Sequence, residues 1–251
     1  MWEPLVRKRD PDAQHAEVAA VFSAAASPAL PYGARQRVYQ FHVAGLPLGP
    51  RSGTVAPTAG SCPCCAALGP NPPPDTPEHV VVSCPMASGV WQVVLRKWYA
   101  LFPDQTWAAP MADARLAASD VLRQSPPLRL GVTLGLRPAG AQRSFLPHAF
   151  ALLRGLTVDA LVSKYWSLMA STALPSPVFV LLPLEVAAVC ASVKAAFSSA
   201  LWHECLRAER DNQVLQAAGR ALGPDNDAVR KFKELWVTPG LCDASGRQLL
   251  L

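Results

Sequence analysis

The spacing of apolar residues along the chain predicts a helical protein. Apolar side chains recur three and four positions apart, which is the repeat of a helix that buries one face. The strongest case is 85–102, where Pro85 takes the first helical position, an apolar stripe runs to Trp98 and Pro103 ends the helix. The same repeat predicts further helices at 12–26, 33–44, 145–171, 184–222 and 227–237.

Two features refine this pattern. Leucine and valine alternate with other residues across 130–136, a period of two that could form a strand or one arm of a short β hairpin. The longest periodic segment is predicted to open at Pro183 and to close at Gly223 and Pro224. The predicted fold class is mainly α.

Composition supports packed helices joined by stiff connectors. The 251 residues are 51% hydrophobic and 16% charged, and 25 of them are proline, about twice the usual share. The chain is therefore predicted to form a real core. Its division is predicted as a helical segment at 1–50, a cysteine-bearing module at 51–102, an irregular proline-rich connector at 103–147 and a helical region at 148–251.

Charge and hydropathy bear on location and partners. The net charge of +5 is compatible with a polyanionic partner such as nucleic acid, although many proteins reach it by chance. The basic N-terminus has no apolar segment behind it, so no secretory signal is predicted. The uncharged run at 165–184 contains three prolines, which disfavour a membrane span. We expect an intracellular protein of the nucleus or cytoplasm, with no membrane partner.

The candidate chemistry lies in residues 60–91, GSCPCCAALGPNPPPDTPEHVVVSCPMASGVW. Cys62 and Cys65 have the spacing that points two thiolates at one ion, and His79 and Cys84 add a nitrogen and a third sulfur. Four protein donors leave no open position, so the predicted site is a structural Zn²⁺ centre. Intracellular cysteines stay reduced, which favours metal over disulfides. The fold prediction thus becomes helices around a small zinc-binding knuckle.

Two other interpretations stay open. The cysteines could be inert buried thiols, or two of them a redox pair, although a thioredoxin-like site needs a βαβ context that the pattern lacks. Cys64 lies inside the knuckle and could replace Cys62 or Cys65 in a slipped site. We interpret it as a spare, and we assign only packing roles to Cys190, Cys205 and Cys242.

The spacing of His79 and Cys84 requires a break in the helix. Five residues on a continuous α-helix turn through about 140°, too far for both side chains to share one ion. Pro85 disfavours helical geometry at the residue before it. We therefore predict that the helical turn ends at Cys84, so that the thiolate swings back toward His79.

At this point the motif resembles the zinc-binding module near the C-terminus of reverse transcriptases of non-LTR retrotransposons. That module has Cys-x2-Cys, an Asp/Glu-Thr-x-x-His stretch, Cys-Pro, small residues and a final Trp, here 62–65, 75–79, 84–85, Ala87 and Trp91. The resemblance covers about 39–98, and Trp202, Arg210 and Asn212 are looser counterparts of a later helix. The alanines after Cys65 and the proline-rich insertion depart from the pattern.

The resemblance implies a nucleic-acid-binding accessory region that carries no polymerase chemistry. No Asp-Asp pair, phosphate loop or serine-nucleophile elbow occurs in the chain, so no enzyme is predicted. Binding of RNA or DNA is expected through phosphates. The candidate contacts are Arg35, Arg37, Arg51, Arg96 and Lys97. The alternative hypothesis is a zinc-stabilised helical module that binds a protein partner and has no nucleic-acid role.

Overall fold

The structure, a computed structural model, describes residues 29–42, 46, 48, 61–66, 71–101, 147–170 and 178–237. Within these residues it contains six α-helices and one π-helix and no strand, so the predicted mainly α fold class is confirmed. The helix predicted at 12–26 and the alternating stretch at 130–136 lie outside the described residues.

The helices follow the chain in this order: α1 (Tyr32–His42), α2 (Pro63–Ala66), the π-helix (His79–Ser83), α3 (Pro85–Leu101), α4 (Pro147–Ala170), α5 (Val178–Ala217) and α6 (Ala228–Trp236). The predicted helices at 33–44, 85–102, 145–171 and 227–237 correspond to α1, α3, α4 and α6 within about two residues at each described end.

Helix α4 is the centre of the packing, because it contacts all of the other described helices. The long helix α5 packs against α3, α4 and α6, while α1 packs against α4. The two short elements, α2 and the π-helix, pack against α4 and α3. The largest fully buried side chains are mostly apolar and include one arginine: Leu30, Phe41, Leu46, Leu95, Trp98, Leu152, Arg154, Leu161, Tyr165, Phe197 and Leu201.

Both predicted ends of the longest helix were wrong. Pro183 lies inside α5 rather than at its start, so residue 183 has no N–H to donate to the carbonyl four residues earlier. The helix ends at Ala217, before the predicted Gly223, because Gly219 adopts φ +70°. The Gly219 N–H donates to the Gln216 carbonyl at 2.9 Å, and the Arg220 N–H donates to the Leu215 carbonyl at 3.0 Å. These are the two hydrogen bonds of a Schellman cap.

A polar clamp joins α6 to α5. The buried Asn212 side chain donates to Asp227 Oδ1 at 2.8 Å and accepts from Ala228 N–H at 2.8 Å. Asp227 caps α6 by accepting from the Arg230 N–H at 3.0 Å. The side chain of Asn212 therefore fixes where α6 begins.

Length and composition would allow the 182–217 part of α5 to cross a bilayer. A core helix of a soluble protein satisfies the same criterion, and α5 packs against three other helices, although only 28% of its most apolar window is buried. The expectation that no membrane is involved stays a prediction.

Candidate metal centre

The first half of the knuckle is a short helical turn, and backbone hydrogen bonds fix its two ends. Ser61 forms an isolated antiparallel bridge with Pro74, and the Cys62 N–H donates to the Pro73 carbonyl at 3.1 Å. The Ala66 N–H then donates to the Cys62 carbonyl at 2.8 Å, which starts α2. The Cys-x2-Cys segment is therefore one turn of helix.

The second half begins with a threonine cap. The Thr76 hydroxyl accepts from the His79 N–H at 3.1 Å, and Pro77 is the first helical residue. The π-helix then runs from His79 to Ser83 and ends where the Cys84 N–H donates to the His79 carbonyl at 2.7 Å. Cys84 itself has ψ 138°, an extended conformation. The break predicted at Cys84 is confirmed.

The sequence did not reveal the π-helix. Its hydrogen bonds join residues five apart, so that His79 and Cys84 lie about one turn from each other instead of 140° apart. This wider turn, together with the extended backbone at Cys84, brings the imidazole and the thiol together. Val80, Val81 and Val82 in between are all buried.

The indole of Trp91 completes this turn. In an α-helix the Val81 carbonyl would accept from residue 85, but Pro85 has no N–H to donate. The buried Trp91 Nε1–H donates to that carbonyl instead, at 2.7 Å. The final Trp of the motif therefore satisfies a backbone group that the Pro85 break leaves open.

The four predicted ligands lie together. Cys62 Sγ is 3.8 Å from Cys84 Sγ, and Cys65 Sγ is 3.3 Å from His79 Nε2. One donor atom from each of the four residues lies within 4.8 Å of the other three. The set is nearly enclosed, since the exposed fractions are 1% for Cys62 and Cys84, 7% for Cys65 and 9% for His79. Three sulfurs and one nitrogen so arranged could bind a metal ion.

Crowding and burial keep these thiols protonated without an ion. Hydrogen bonding to Cys84, together with burial, raises the pKa of Cys62 to about 12. Burial and the neighbouring thiols raise the pKa of Cys65. For Cys84, hydrogen bonding with Cys62 lowers the pKa, but Cys64 and burial outweigh it and the net shift is upward. A bound cation reverses this preference, because a metal ligand must be a thiolate.

Contacts outside the donor set support the cluster, two of them through Ser83 and Tyr165, which the sequence did not single out. Ser83 Oγ lies 3.3 Å from His79 Nδ1, so it can hold the imidazole with Nε2 toward the sulfurs. The Tyr165 hydroxyl on α4 donates to Asp75 Oδ2 at 2.5 Å, with both side chains buried. This second contact ties the knuckle to the helical core.

Cys64 is close to the cluster but is not a member of it. Its sulfur is absent from the set of donor atoms that lie within 4.8 Å of one another. Hydrogen bonding with Cys84 lowers the pKa of the Cys64 thiol. Cys64 is thus a buried neighbour of Cys84, and its interpretation as a spare thiol stays a prediction.

The five candidate phosphate contacts lie in different environments. Arg37 Nε pairs with Asp159, and its guanidinium lies 5.8 Å from the Trp166 ring centroid. Arg35 is half-buried. Arg96 and Lys97 are exposed on α3, and Arg51 lies outside the described residues. Their role in binding nucleic acid stays a prediction.

No protein-family model, curated protein or solved structure matches the chain.

Proposed function

We propose that Cys62, Cys65, His79 and Cys84 hold one structural zinc ion, and that the zinc-stabilised helical module binds nucleic acid through phosphates. The observation that carries the metal proposal is the distance between sulfurs. Zn–S bonds of about 2.3 Å arranged as a tetrahedron have S–S edges of about 3.8 Å, and Cys62 Sγ and Cys84 Sγ are 3.8 Å apart. Borderline-soft Zn²⁺ suits three thiolates and an imidazole better than Ca²⁺ or Mg²⁺, which prefer oxygen.

The role of the zinc is to hold the fold. Four protein donors leave no position for water, so no hydrolytic chemistry is proposed. The segment it stabilises is rich in proline and has little regular structure of its own, because α2 spans four residues and the π-helix five. Structural zinc supplies about 10–16 kcal/mol of apparent binding free energy to segments of this kind.

Metal content tests the first part of the proposal. Purified protein should contain about one zinc per chain by elemental mass spectrometry, and Cys65→Ser should contain much less. Cys64→Ser is the matched control, because it changes a buried cysteine one position away that lies outside the donor set, and it should keep its zinc. Equal zinc in both variants, or none in the parent, would overturn the assignment.

The nucleic-acid part rests on the motif resemblance and on two exposed cations. Arg96 and Lys97 extend from the exposed face of α3, the helix that begins immediately after Cys84. Neither forms an ion pair within the described part of the chain, so both can approach phosphates. Arg37, which pairs with Asp159, would have to leave its partner and contributes less.

Salt dependence tests this second part. Binding of a single-stranded RNA and of a DNA duplex is measured by fluorescence anisotropy over a range of salt concentrations, with zinc-loaded protein. Arg96→Ala with Lys97→Ala should weaken binding and reduce the slope of log K against log salt by about 1.4 for the single strand, about 0.7 per lost contact. Arg220→Ala with Lys233→Ala, at exposed sites remote from α3, is the control. An unchanged slope would contradict the proposal.

A second function, binding of a protein partner, is favoured by the exposed apolar residues of α5. Leu184 and Val214 are 65% and 62% exposed, and Trp202 and Leu206 are 38% and 37% exposed. Exposed apolar residues on one helix are typical of docking surfaces when they form a continuous patch. Absence of salt-dependent nucleic-acid binding by the zinc-loaded protein would favour this function.

A further inference from the structure

A surface cleft of about 220 Å³ lies between α3 and α5, away from the four metal ligands. Val93 and Val94 line it from α3, and Leu153 lines it from α4. The wall from α5 has one valine, two small side chains and one cation: Val193, Cys190, Ala191 and Lys194. Lys97 completes the lining from α3. The cleft is therefore apolar within and cationic on two sides.

The cleft follows from how the two helices meet. At Gly89 a Cβ atom would lie 2.9 Å from Val186 Cγ2, so α3 and α5 are in close contact there because residue 89 has no side chain. One turn further along each helix, Val93 and Cys190 line the cleft. Cys190 and its neighbour Ala191 are too short to fill the space that larger side chains would occupy.

The cations of the cleft lack counter-ions among the described residues. Lys97 and Lys194 are exposed, and no acidic side chain belongs to the lining. The described ion pairs of the chain all involve other residues. Two ammonium groups beside an apolar surface favour a ligand that has a negative head and an apolar body.

We propose that this cleft binds a small amphipathic carboxylate, with its apolar body against Val94 and Leu153 and its carboxylate near Lys97 and Lys194. The volume equals that of about seven water molecules at roughly 30 Å³ each, which fits a body of about six to eight carbon atoms. The lining contains no aromatic side chain on which a nucleobase would stack. The ligand is thus distinct from the nucleic acid of the proposed function.

A series of straight-chain acids tests the proposal. Butanoate, hexanoate and octanoate are titrated into zinc-loaded protein, with binding followed by NMR shifts of the amides of 93–97 and 190–194. Each added CH2 should strengthen binding about fourfold until the cleft is filled. Hexanol and hexylammonium should bind at least several-fold more weakly than hexanoate. Equal binding of the alcohol, no dependence on chain length, or no shift at these amides would overturn the proposal.

Variants locate the ligand in the cleft. Lys194→Gln should weaken octanoate binding by about threefold to fivefold, and Ala191→Leu should abolish it by filling the space. Lys233→Gln, at an exposed position on α6, should leave it unchanged. Octanoate should also slow alkylation of Cys190, measured by peptide mass spectrometry, because the thiol lines the same cleft. Equal losses in Lys194→Gln and Lys233→Gln, or no protection of Cys190, would contradict the proposed location.

The same variants separate this proposal from the nucleic-acid one. Ala191→Leu leaves Arg96 and Lys97 in place, so it should keep the salt-dependent binding of RNA or DNA while it loses octanoate. Loss of nucleic-acid binding alone in Arg96→Ala would leave the carboxylate site standing. Thermal unfolding of each variant, which should match that of the parent, shows that the fold is retained.

Discussion

The knuckle at 61–84 and the helix pair α5–α6 hold their shapes by different means. In the helix pair, local signals determine each boundary: Gly219 ends α5 with a Schellman cap, and Asn212 with Asp227 fixes the start of α6. In its described residues the knuckle has a four-residue helix, a five-residue π-helix and an isolated bridge between Ser61 and Pro74. Four of its side chains gather around one point, where a bound ion would link its two halves.

The knuckle and the α5–α6 pair are therefore expected to be stabilised by different interactions. Backbone hydrogen bonds and buried apolar surface hold α5 and α6 whether or not an ion is present. The knuckle buries three thiols and an imidazole. Most of its stability is expected to come from the free energy with which these groups bind an ion. Removing the ion should therefore affect one region and spare the other.

The largest expected effect is that of chelation. Removal of zinc by a strong chelator should unfold 61–84 and loosen α3 at its start, because about 10–16 kcal/mol of binding free energy is lost. Hydrogen exchange followed by mass spectrometry should show loss of protection at 79–91 and retained protection at 205–236. Equal loss in both regions would show that the helix pair also depends on the metal.

The second-largest expected effect is that of low pH, which should weaken metal binding by the knuckle before it affects the α5–α6 pair. In the metal-free state the pKa of Cys62 is raised to about 12, and those of Cys65 and Cys84 are also raised, so three protons must leave when the ion binds. Apparent zinc affinity should therefore fall by up to about a thousandfold for each unit of decreasing pH near neutrality, measured by competition with a chromophoric chelator.

The α5–α6 clamp responds at a different pH. Hydrogen bonding from Asn212 lowers the pKa of the Asp227 carboxyl from its usual 3.8. A lowered folded-state pKa contributes stability above 3.8 that is lost as the pH falls through the folded value. The α6 amide signals should thus persist at pH 5, where the proposed zinc should dissociate. Loss of both at one pH would contradict the separation.

A smaller effect is expected when the hydrogen bonds of the α5–α6 clamp are removed. Asn212→Ala removes two hydrogen bonds and leaves the Ala228 N–H without its acceptor, which should cost about 1–3 kcal/mol. Urea unfolding should report this loss while zinc content stays at one per chain. Gln213→Ala, at the exposed neighbouring position, is the control and should change stability little.

The smallest effect is expected at the indole that completes the knuckle. Trp91→Phe keeps an aromatic ring but leaves the Val81 carbonyl without its donor, so it should cost about 1–2 kcal/mol. Urea unfolding should report this loss. An unchanged free energy of unfolding would show that the Val81 contact is not what Trp91 provides.

The helices were predictable where the sequence signals are local. Pro85 marked the start of α3 and the break at Cys84, and Asp227 preceded α6, because proline and caps act within a few residues. The same local logic failed at Pro183, which lies inside α5 rather than before it, because a helix can continue through a proline at the cost of one hydrogen bond.

The donor set was predictable from spacing, whereas its supports were not. Cys62, Cys65, His79 and Cys84 follow a recognisable spacing, but the π-helix depends on how Val80, Val81 and Val82 bury together. Tyr165 is 90 positions from Asp75, and no local pattern reveals such a contact. The sequence did contain one sign of the Trp91 contact. A carbonyl that would face a proline in a continuous helix needs another donor, and Trp91, shortly after Pro85, can supply one.

The separations along the chain carry a consequence for synthesis on the ribosome. Cys62 and Cys84 are only 22 positions apart, so their loop closes at small entropic cost. Arg37 and Asp159 are 122 positions apart and cannot meet until most of the polypeptide has emerged. We therefore expect the knuckle of the nascent chain to bind the proposed ion early. The later helices would then pack against a knuckle that is already folded.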